Sequence, residues 1–216
     1  MIIADLSQSF ANGMPHASTI PAPSFEQVKS IERDGLSVTQ LSVATHIGTH
    51  LDAPSHFIEG GGTIDRVPLD TLVGPALVVS VHKPAGEEIT AEDLSAAEAE
   101  VSPGDALLLR TGWGAKFGTD EYLHHPYLSR DAAEWILDHG LRLVGLDTVT
   151  PDMPGHLRPE DFDFPVHHIL LGNGVVIAEN LFLEEVVGRR FTLFVGSLKI
   201  AGGDGAPARV LAVFEG

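Results

Sequence analysis

Three histidines and one aspartate lie within eleven residues, in the segment His46-Ile-Gly-Thr-His50-Leu-Asp52-Ala-Pro-Ser-His56. Imidazole nitrogens and carboxylate oxygens are donors that bind divalent metals such as zinc. The chain contains no cysteine, which excludes thiolate ligands, disulfides and a cysteine nucleophile. A single histidine is usually an ordinary surface or core residue. A cluster of this kind instead indicates a site for a divalent metal ion.

The spacing of these residues suits an extended chain that bends once. Side chains two residues apart share a face of a strand, so His46, His50 and Asp52 would lie on one side, with Gly48 between them. A flat strand would separate the two histidines by about 13 Å, and a bend at the glycine would bring both rings to one ion. A helix is disfavoured by the β-branched residues, the glycine and the following proline. His56 is then expected on a rigid turn close to the metal.

The sequence predicts that strands alternating with helices position this segment. Residues 36–45 alternate apolar and polar side chains, which predicts a half-buried strand that runs directly into His46. Apolar runs predict further strands and capping signals predict three helices. The strands are expected over 76–81, 106–109, 142–146, 175–178, 191–200 and 208–214, and the helices from Thr90 to about Ala99, over 130–139 and over 165–171. The pattern predicts an α/β fold, a mixed β-sheet or barrel-like core flanked by helices.

Length and composition restrict the classes of protein to which the chain can belong. The 216 residues, of which 44% are hydrophobic and 20% charged, predict one globular domain spanning 1–216. The formal net charge of −17 would repel phosphate backbones and anionic lipids, so neither nucleic acid nor a membrane is expected as a partner. No apolar run approaches the roughly 20 residues that span a bilayer, and no signal-like segment begins the chain, so a cytoplasmic location is expected.

The pattern His-x-Gly-Thr-His-x-Asp-x-Pro-x-His resembles the signature of the cyclase family, which includes bacterial kynurenine formamidase and isatin hydrolase. The resemblance covers most of the chain and implies the swivelling β/β/α fold of that family. The further motifs that follow in the family's order are Asp5-Leu-Ser, the stretch from Gly104 to Trp113, Val144-Gly-Leu-Asp147, His167-x-x-Leu-Leu171 and Glu179-Asn-Leu181.

The resemblance also implies a set of ligands. His46, His50 and Asp52 would bind one ion and His167 a second ion, with Asp52 and Glu179 shared between them. His168 is the rival of His167, which the family pattern favours because two residues separate the ligand from the Leu-Leu pair. If this chain resembles the single-metal members of the family, His167 and Glu179 would contact the ligand side chains and would not bind an ion themselves. Zinc is the expected metal, manganese is allowed by the same donors, and one or two ions per chain are possible.

The activity implied by the resemblance is hydrolysis of a carbon–nitrogen bond in a small molecule, an arylformamide or a cyclic amide, by water that the metal activates. His56 would accept and donate the proton. Two alternatives stay open: a lactone or cyclic ester hydrolase, and a metal or small-ligand binding module without catalysis. The stretch Met14-Pro15-His16-Ala17 lacks the aromatic residue that stacks on kynurenine in related enzymes, which argues against N-formylkynurenine. A homodimer or homotetramer is also implied.

Other catalytic classes lack their motifs. No Gly-x-Ser-x-Gly elbow and no glycine-rich phosphate loop is present, which disfavours a serine hydrolase and a nucleotide-binding enzyme. Asp147 and Asp152 follow a predicted buried strand, where they would border the substrate pocket or form a plain turn. The remaining histidines without an assigned chemical role include four that are expected in surface loops, namely His82, His124, His125 and His156.

Overall fold

The computed structural model describes residues 1–17, 19–97 and 100–214. The strands are β1 Ile2–Asp5, β2 Ser24–Lys29, β3 Val38–Ser42, β4 His50–Asp52, β5 Val73–Ser80, β6 Glu88–Ile89, β7 Ala106–Arg110, β8 Tyr127–Leu128, β9 Leu143–Leu146, β10 Val176–Glu179, β11 Arg190–Ser197 and β12 Gly205–Phe214. The α-helices are α1 Ile31–Asp34, α2 Leu69–Leu72, α3 Ala91–Ala96, α4 Arg130–Asp138 and α5 Pro165–Gly172. Short 3₁₀ turns cover Pro54–His56, Ile64–Arg66, Trp113–Lys116, Asp120–His124 and Gly155–Leu157.

Seven strands form a closed, mixed sheet. The order β12-β11-β5-β7-β9-β10-β4 returns to β12 because β4 pairs with both β10 and the first residues of β12. Strand β1 pairs with the last residues of β12, along the same edge as β4. The neighbours β5, β7, β9 and β10 run parallel, and the remaining pairs are antiparallel. Closure satisfies both edges of the short strand β4. The predicted mixed, barrel-like α/β core is confirmed.

The two faces of the barrel wall bury two separate apolar clusters. Along β7, Ala106 and Leu108 point to an inner cluster, whereas Leu107 and Leu109 join an outer cluster with side chains of α3, α4 and α5. Alternation of this kind follows from the pleat, in which successive side chains face opposite ways. Strands buried on both faces must be apolar throughout, which is why β7 and β9 appear in the sequence as unbroken apolar runs.

The helices that cover the parallel strands begin where the capping signals indicate. Thr90 and Asp93 form a capping box at α3, and Ser129 caps α4 by accepting the N–H of Ala132. Gly140 follows α4 with φ of +65°, as a C-terminal glycine does. Helix α3 ends at Ala96, and the predicted end near residue 99 lies outside the described residues.

The prediction of a half-buried strand over 36–45 is wrong in its burial and its length. Strand β3 covers only Val38–Ser42, and every one of its residues is exposed. Within the part of the chain that the structure describes, it pairs only with β2, in a separate two-stranded sheet. The alternation therefore reflects a hairpin that projects from the barrel. Strand β3 also ends before His46, so a separate bend leads into the metal-ligand segment.

Among the described residues, no helix is both long and apolar enough to cross a membrane.

Candidate metal centre

Strand β4 places two of the candidate ligands by its position between β10 and β12. His50 lies opposite Glu179 of β10, and Asp52 lies opposite Gly205 of β12. Side chains of directly opposed residues lie about 5 Å apart on the same face. Barrel closure thus brings Glu179 to the histidine segment although about 130 residues separate them in the chain.

The bend before β4 forms at a glycine, as predicted. Gly48 has φ of +55°, a backbone conformation that L side chains rarely adopt. A Cβ on Gly48 would lie 2.5 Å from the Met14 side chain, so the N-terminal loop packs directly against this turn. On the other side, a Cβ on Gly205 would lie 2.6 Å from the His46 ring. Two glycines therefore leave the room that the turn and the imidazole occupy.

The candidate side chains converge through short contacts. His46 Nδ1 lies 2.7 Å from Asp52 Oδ1, and His50 Nε2 lies 3.2 Å from the same oxygen and 3.3 Å from Glu179 Oε2. His167 Nε2 lies 3.6 Å from Asp52 Oδ2 and 3.5 Å from Glu179 Oε1. The structure thus brings together all five residues named as ligands from the sequence.

Two histidines have their orientation fixed by an oxygen on the outer side of the ring. His50 Nδ1 lies 2.7 Å from the backbone oxygen of Gly48, and His167 Nδ1 lies 2.5 Å from Asp152 Oδ2. A ring that donates its Nδ1–H in this way presents the lone pair of Nε2 on the inner side, where a metal would bind. Asp152 is held in place because it also accepts the backbone N–H groups of Val166 and His167 at the start of α5.

The cluster is buried, and its carboxylates dominate the electrostatics. Asp52 is 0% exposed and Glu179 is 5% exposed. Burial would lower the pKa of His50, but the neighbouring carboxylates Asp52 and Glu179 outweigh it and raise that pKa to about 10. Burial likewise opposes ionisation of Asp52, yet His50 and its other histidine neighbours hold the pKa of this carboxyl well below its usual range. The two carboxylates therefore require positive charge at the centre.

Several polar atoms at the centre have no hydrogen-bond partner. Among the described residues, five buried side-chain atoms make no hydrogen bond, and three of them are His46 Nε2, His50 Nε2 and Asp52 Oδ2. Carboxylate oxygens lie 3.2 Å from both of these nitrogens, but at angles unsuited to a hydrogen bond. A buried polar group without a partner is costly unless something else satisfies it. Nitrogen and oxygen lone pairs that meet at one buried point suit a divalent cation. The residues present therefore fit a metal.

His56 lies on the 3₁₀ turn Pro54–His56, beside the cluster. Its ring stacks on that of His46 at a centroid distance of 3.6 Å, and its Nδ1 lies 4.0 Å from Asp204 Oδ2. Burial lowers the pKa of His56 to about 4, more than the nearby carboxylates raise it. A neutral imidazole next to the candidate ligands is the form required of a general base.

The grouping of the donors differs in detail from the grouping implied by the resemblance. Donor atoms converge within 4.8 Å of one another in two sets, one of His46, Asp52 and His56 and the other of His50, Asp52 and Glu179. Asp52 belongs to both sets, as implied, whereas His46 and His50 separate. His167 contacts both carboxylates from the helix side, and its neighbour His168 is exposed. The geometry therefore favours His167 over its rival.

Sequence reasoning missed one carboxylate near the centre, Asp204, and misplaced one histidine. Asp204, in the glycine-rich connection before β12, lies 3.2 Å from His46 Nε2. Asp152 holds His167, while Asp147 accepts hydrogen bonds from the Thr111–Gly114 turn and so has a structural role. His125 is buried rather than at the surface, with its Nδ1 against its neighbour's carbonyl. No local pattern marks Asp204 in the sequence, because it approaches His46 only when the chain folds.

The family model and the curated relatives that match this sequence point to the same family. The family model for a putative cyclase matches residues 4–153, more than half of the chain. The kynurenine formamidase of Salinibacter ruber is 34% identical over 181 residues, which are 83% of this chain and 81% of that protein. The kynurenine formamidase of Bacillus cereus is 30% identical over 209 residues, which are 96% of this chain and 95% of that protein.

Solved structures share the fold. A protein described as a predicted metal-dependent hydrolase from Bacillus stearothermophilus matches with a TM-score of 0.79 and 28% identity, covering 98% of this chain and 97% of that one. An isatin hydrolase bound to thioisatinate matches with a TM-score of 0.89 and 23% identity, covering 99% and 92%. The sequence relatives and the buried cluster of metal-binding side chains lead to one conclusion: the chain belongs to the cyclase family of metal-dependent hydrolases.

Proposed function

We propose that this chain hydrolyses the carbon–nitrogen bond of a small arylformamide or cyclic amide. The observation that carries the proposal is a buried cluster of three imidazoles and two carboxylates with a neutral histidine, His56, beside it. Relatives named kynurenine formamidase at about 30% identity support the same class of reaction. A cleavage of this kind needs a nucleophile, stabilisation of a developing oxyanion and a proton carrier.

The residues proposed to hold the cation are His46, His50, Asp52, His167 and Glu179. When bound, a divalent cation supplies Lewis acidity, which makes water more acidic and polarises a carbonyl oxygen. We propose zinc as the metal because imidazole nitrogen predominates among the donors, and manganese is the alternative that the two carboxylates allow. Metal analysis of protein loaded with each ion, together with the activity of each form, distinguishes the two and gives the number of ions.

His56 has the role of proton carrier. With its pKa lowered to about 4, the ring is neutral near pH 7 and accepts a proton from the attacking water. The same nitrogen returns that proton to the departing amine. The side chain is partly exposed, unlike His50 and His167, which is what contact with a substrate requires.

The test compares His56→Ala with His168→Ala as a matched control, because His168 is an exposed histidine on the neighbouring helix α5. Metal-loaded protein is assayed on a formanilide, on an isatin-like lactam and on a lactone, with metal stoichiometry measured for each variant. We expect His56→Ala to keep its metal and lose about 10²- to 10⁴-fold in kcat, with the control unchanged. Loss of metal from His56→Ala would instead assign this residue as a ligand, in line with its grouping with His46 and Asp52.

The same panel separates the two alternative functions. A lactone or cyclic ester hydrolase would cleave the lactone and leave both amides intact. A binding module without catalysis would retain stoichiometric metal and cleave none of the three compounds, with or without His56. Cleavage of the formanilide or the lactam that depends on His56 supports the proposed amide hydrolase.

We also propose that the chain assembles as a homodimer or homotetramer. The projecting hairpin β2–β3 exposes Val28, Val38 and Leu41, the last of them 60% exposed. Exposed apolar side chains gathered on one element are typical of surfaces that another chain covers. Light scattering of the purified protein gives its mass in solution, and a monomer at micromolar concentration would contradict the proposal. The cytoplasmic location stays a prediction.

A further inference from the structure

Asn180, the residue that follows the candidate ligand Glu179, has a left-handed backbone conformation. Its φ is 56°, and it is one of two non-glycine residues with positive φ in the described part of the chain. Asparagine tolerates this conformation better than most L residues, but the conformation persists only where surrounding contacts hold it. Asn180 is buried, so those contacts must come from inside the protein.

The left-handed residue lets the chain change face directly after Glu179. Ile177 of β10 packs in the outer cluster, and Glu179 continues on that face toward His167 of α5. Leu181 lies two residues further, where a regular strand would keep the same face, yet its side chain packs in the inner cluster. Asn180 takes up this change of phase, as a residue does in a β-bulge. Glu179 can therefore face the centre while the chain returns to the core.

Two side-chain hydroxyls hold Asn180 in place. The hydroxyl of Tyr122 donates to Asn180 Oδ1 at 2.8 Å, and the hydroxyl of Thr49 donates to the backbone oxygen of Asn180 at 2.7 Å. Thr49 directly precedes His50, which lies opposite Glu179 in the pairing of β4 with β10. Asn180 thus joins the two strands that carry opposed candidate ligands.

The phenol of Tyr122 is a fully buried donor on the 3₁₀ turn Asp120–His124. Burial and the nearby carboxylates of Asp147 and Glu179 raise the pKa of Tyr122 well above its usual value, so the hydroxyl keeps its proton. Loss of this donor would leave a buried amide oxygen without it, and a buried polar group that loses its partner is costly. The hydrogen bond to Asn180 is therefore a firm constraint on the bend after Glu179.

We propose that Tyr122 and Thr49 are positioning residues that act through Asn180 to hold Glu179 opposite His50, in the geometry that binds a cation. This proposal rests on the proposed function, because it takes Glu179 and His50 as metal ligands. It extends the centre to two hydroxyl groups that are not themselves proposed as ligands.

The experiment compares Tyr122→Phe with Asn180→Gly. The first variant removes one oxygen atom, and the second removes the acceptor but keeps a residue that adopts positive φ readily. Zn²⁺ affinity is measured by competition with a chelator, and the stability of the apoprotein is measured by denaturant unfolding. We expect each variant to bind Zn²⁺ about 10-fold more weakly, the lower end of the range for removing a group that orients a ligand, because the tyrosine acts through an intervening residue.

The double variant shows whether the two residues act together. Both substitutions remove the same hydrogen bond, so Tyr122→Phe combined with Asn180→Gly should bind Zn²⁺ no more weakly than the weaker single variant. Losses that multiply in the double variant would overturn the proposal, because the residues would then act independently.

A matched control and a conservative pair separate positioning from packing. Tyr127→Phe changes another buried tyrosine, on β8, and its Zn²⁺ affinity should equal that of the wild type. Thr49→Ser keeps the hydroxyl and should retain the wild-type affinity, whereas Thr49→Val should lose affinity as Tyr122→Phe does. If Tyr122→Phe does not fold, Asn180→Gly and the two Thr49 variants decide the outcome.

A spectroscopic measurement reports on the ligands directly. The visible absorption of Co²⁺-loaded protein follows the arrangement of the donor atoms, so the spectrum of Tyr122→Phe should differ from the wild type and that of Tyr127→Phe should match it. A Tyr122→Phe protein that is less stable but keeps the wild-type Zn²⁺ affinity and Co²⁺ spectrum would overturn the proposal, since the hydroxyl would then support the fold alone.

Metal binding is measured without turnover, which separates failure of this proposal from failure of the proposed function. A wild type that binds Zn²⁺ but cleaves none of the test amides would refute the amide hydrolase, and the affinities of the variants would still decide the role of Tyr122. A wild type that binds neither Zn²⁺ nor Co²⁺ would overturn the positioning role, because Glu179 and His50 would have no cation to hold.

Discussion

Replacing Asp152 by asparagine tests how the protein orients its metal ligands, because Asp152 contacts the proposed ligand His167 but is not itself a proposed ligand. One oxygen of Asp152 accepts the Nδ1–H of His167 at 2.5 Å and the backbone N–H of His167 at 3.1 Å. The other oxygen accepts the backbone N–H of Val166 at 3.1 Å. An asparagine keeps one acceptor oxygen but turns its NH₂ group toward a donor, so one of these buried partners loses its acceptor.

The expected magnitude follows from the two roles of this carboxylate. Removing a carboxylate that orients a metal-binding imidazole typically lowers metal affinity about 10- to 100-fold. That change corresponds to about 1.4 to 2.7 kcal/mol of metal-linked stabilisation at a fixed excess of metal. For a chain of this size the thermal shift on adding metal should shrink by about 3 to 10 °C. The apoprotein should also lose about 1 to 3 kcal/mol because a buried N–H is left unpaired.

The assay is a titration with a competing metal chelator, combined with thermal unfolding in the presence and absence of metal. Asp147→Asn is the matched control, because Asp147 is equally buried and accepts the N–H groups of Thr111 and Gly112 and the Thr111 hydroxyl. Among the hydrogen bonds and ion pairs of the described residues, none joins Asp147 to a proposed ligand. We expect the control to lose stability and to keep the metal affinity of the wild type. Unchanged metal affinity in Asp152→Asn would refute the reasoning that this carboxylate positions His167.

Three further predictions concern the centre and its support. Gly205→Ala should weaken metal binding, because the new Cβ would lie 2.6 Å from the ring of His46 and 2.8 Å from the Leu51 backbone oxygen; equal affinity by chelator titration would contradict this. Leu108→Ala should destabilise the protein by about 2 to 5 kcal/mol in denaturant unfolding, since this fully buried side chain fills the inner cluster. Removal of the metal by a chelator should lower the unfolding temperature, because the carboxylates Asp52 and Glu179 then lack the cation that offsets their charge; an unchanged temperature would argue against a bound cation.

Local features of the sequence were sufficient to predict the fold class and much of the site. His46, His50, Asp52 and His56 lie within eleven residues, so their meeting depended only on the bend that a glycine at position 48 allows. Apolar runs and caps similarly predicted six of the seven barrel strands and the three longest helices, because those signals are local. His167 and Glu179 came from the resemblance to the family and not from spacing.

Tertiary structure decided which distant residues join that segment. Glu179 faces His50 because β4 inserts between β10 and β12, a pairing that no local pattern encodes. Asp152 and Asp204 likewise reach the centre through loops whose paths depend on barrel closure. The exposed hairpin β2–β3 shows the same limit, since alternation specifies a two-faced strand but not whether a core covers one face. Local sequence therefore specifies the donors and their bend, whereas the closed barrel specifies their partners, because register between strands is a long-range property.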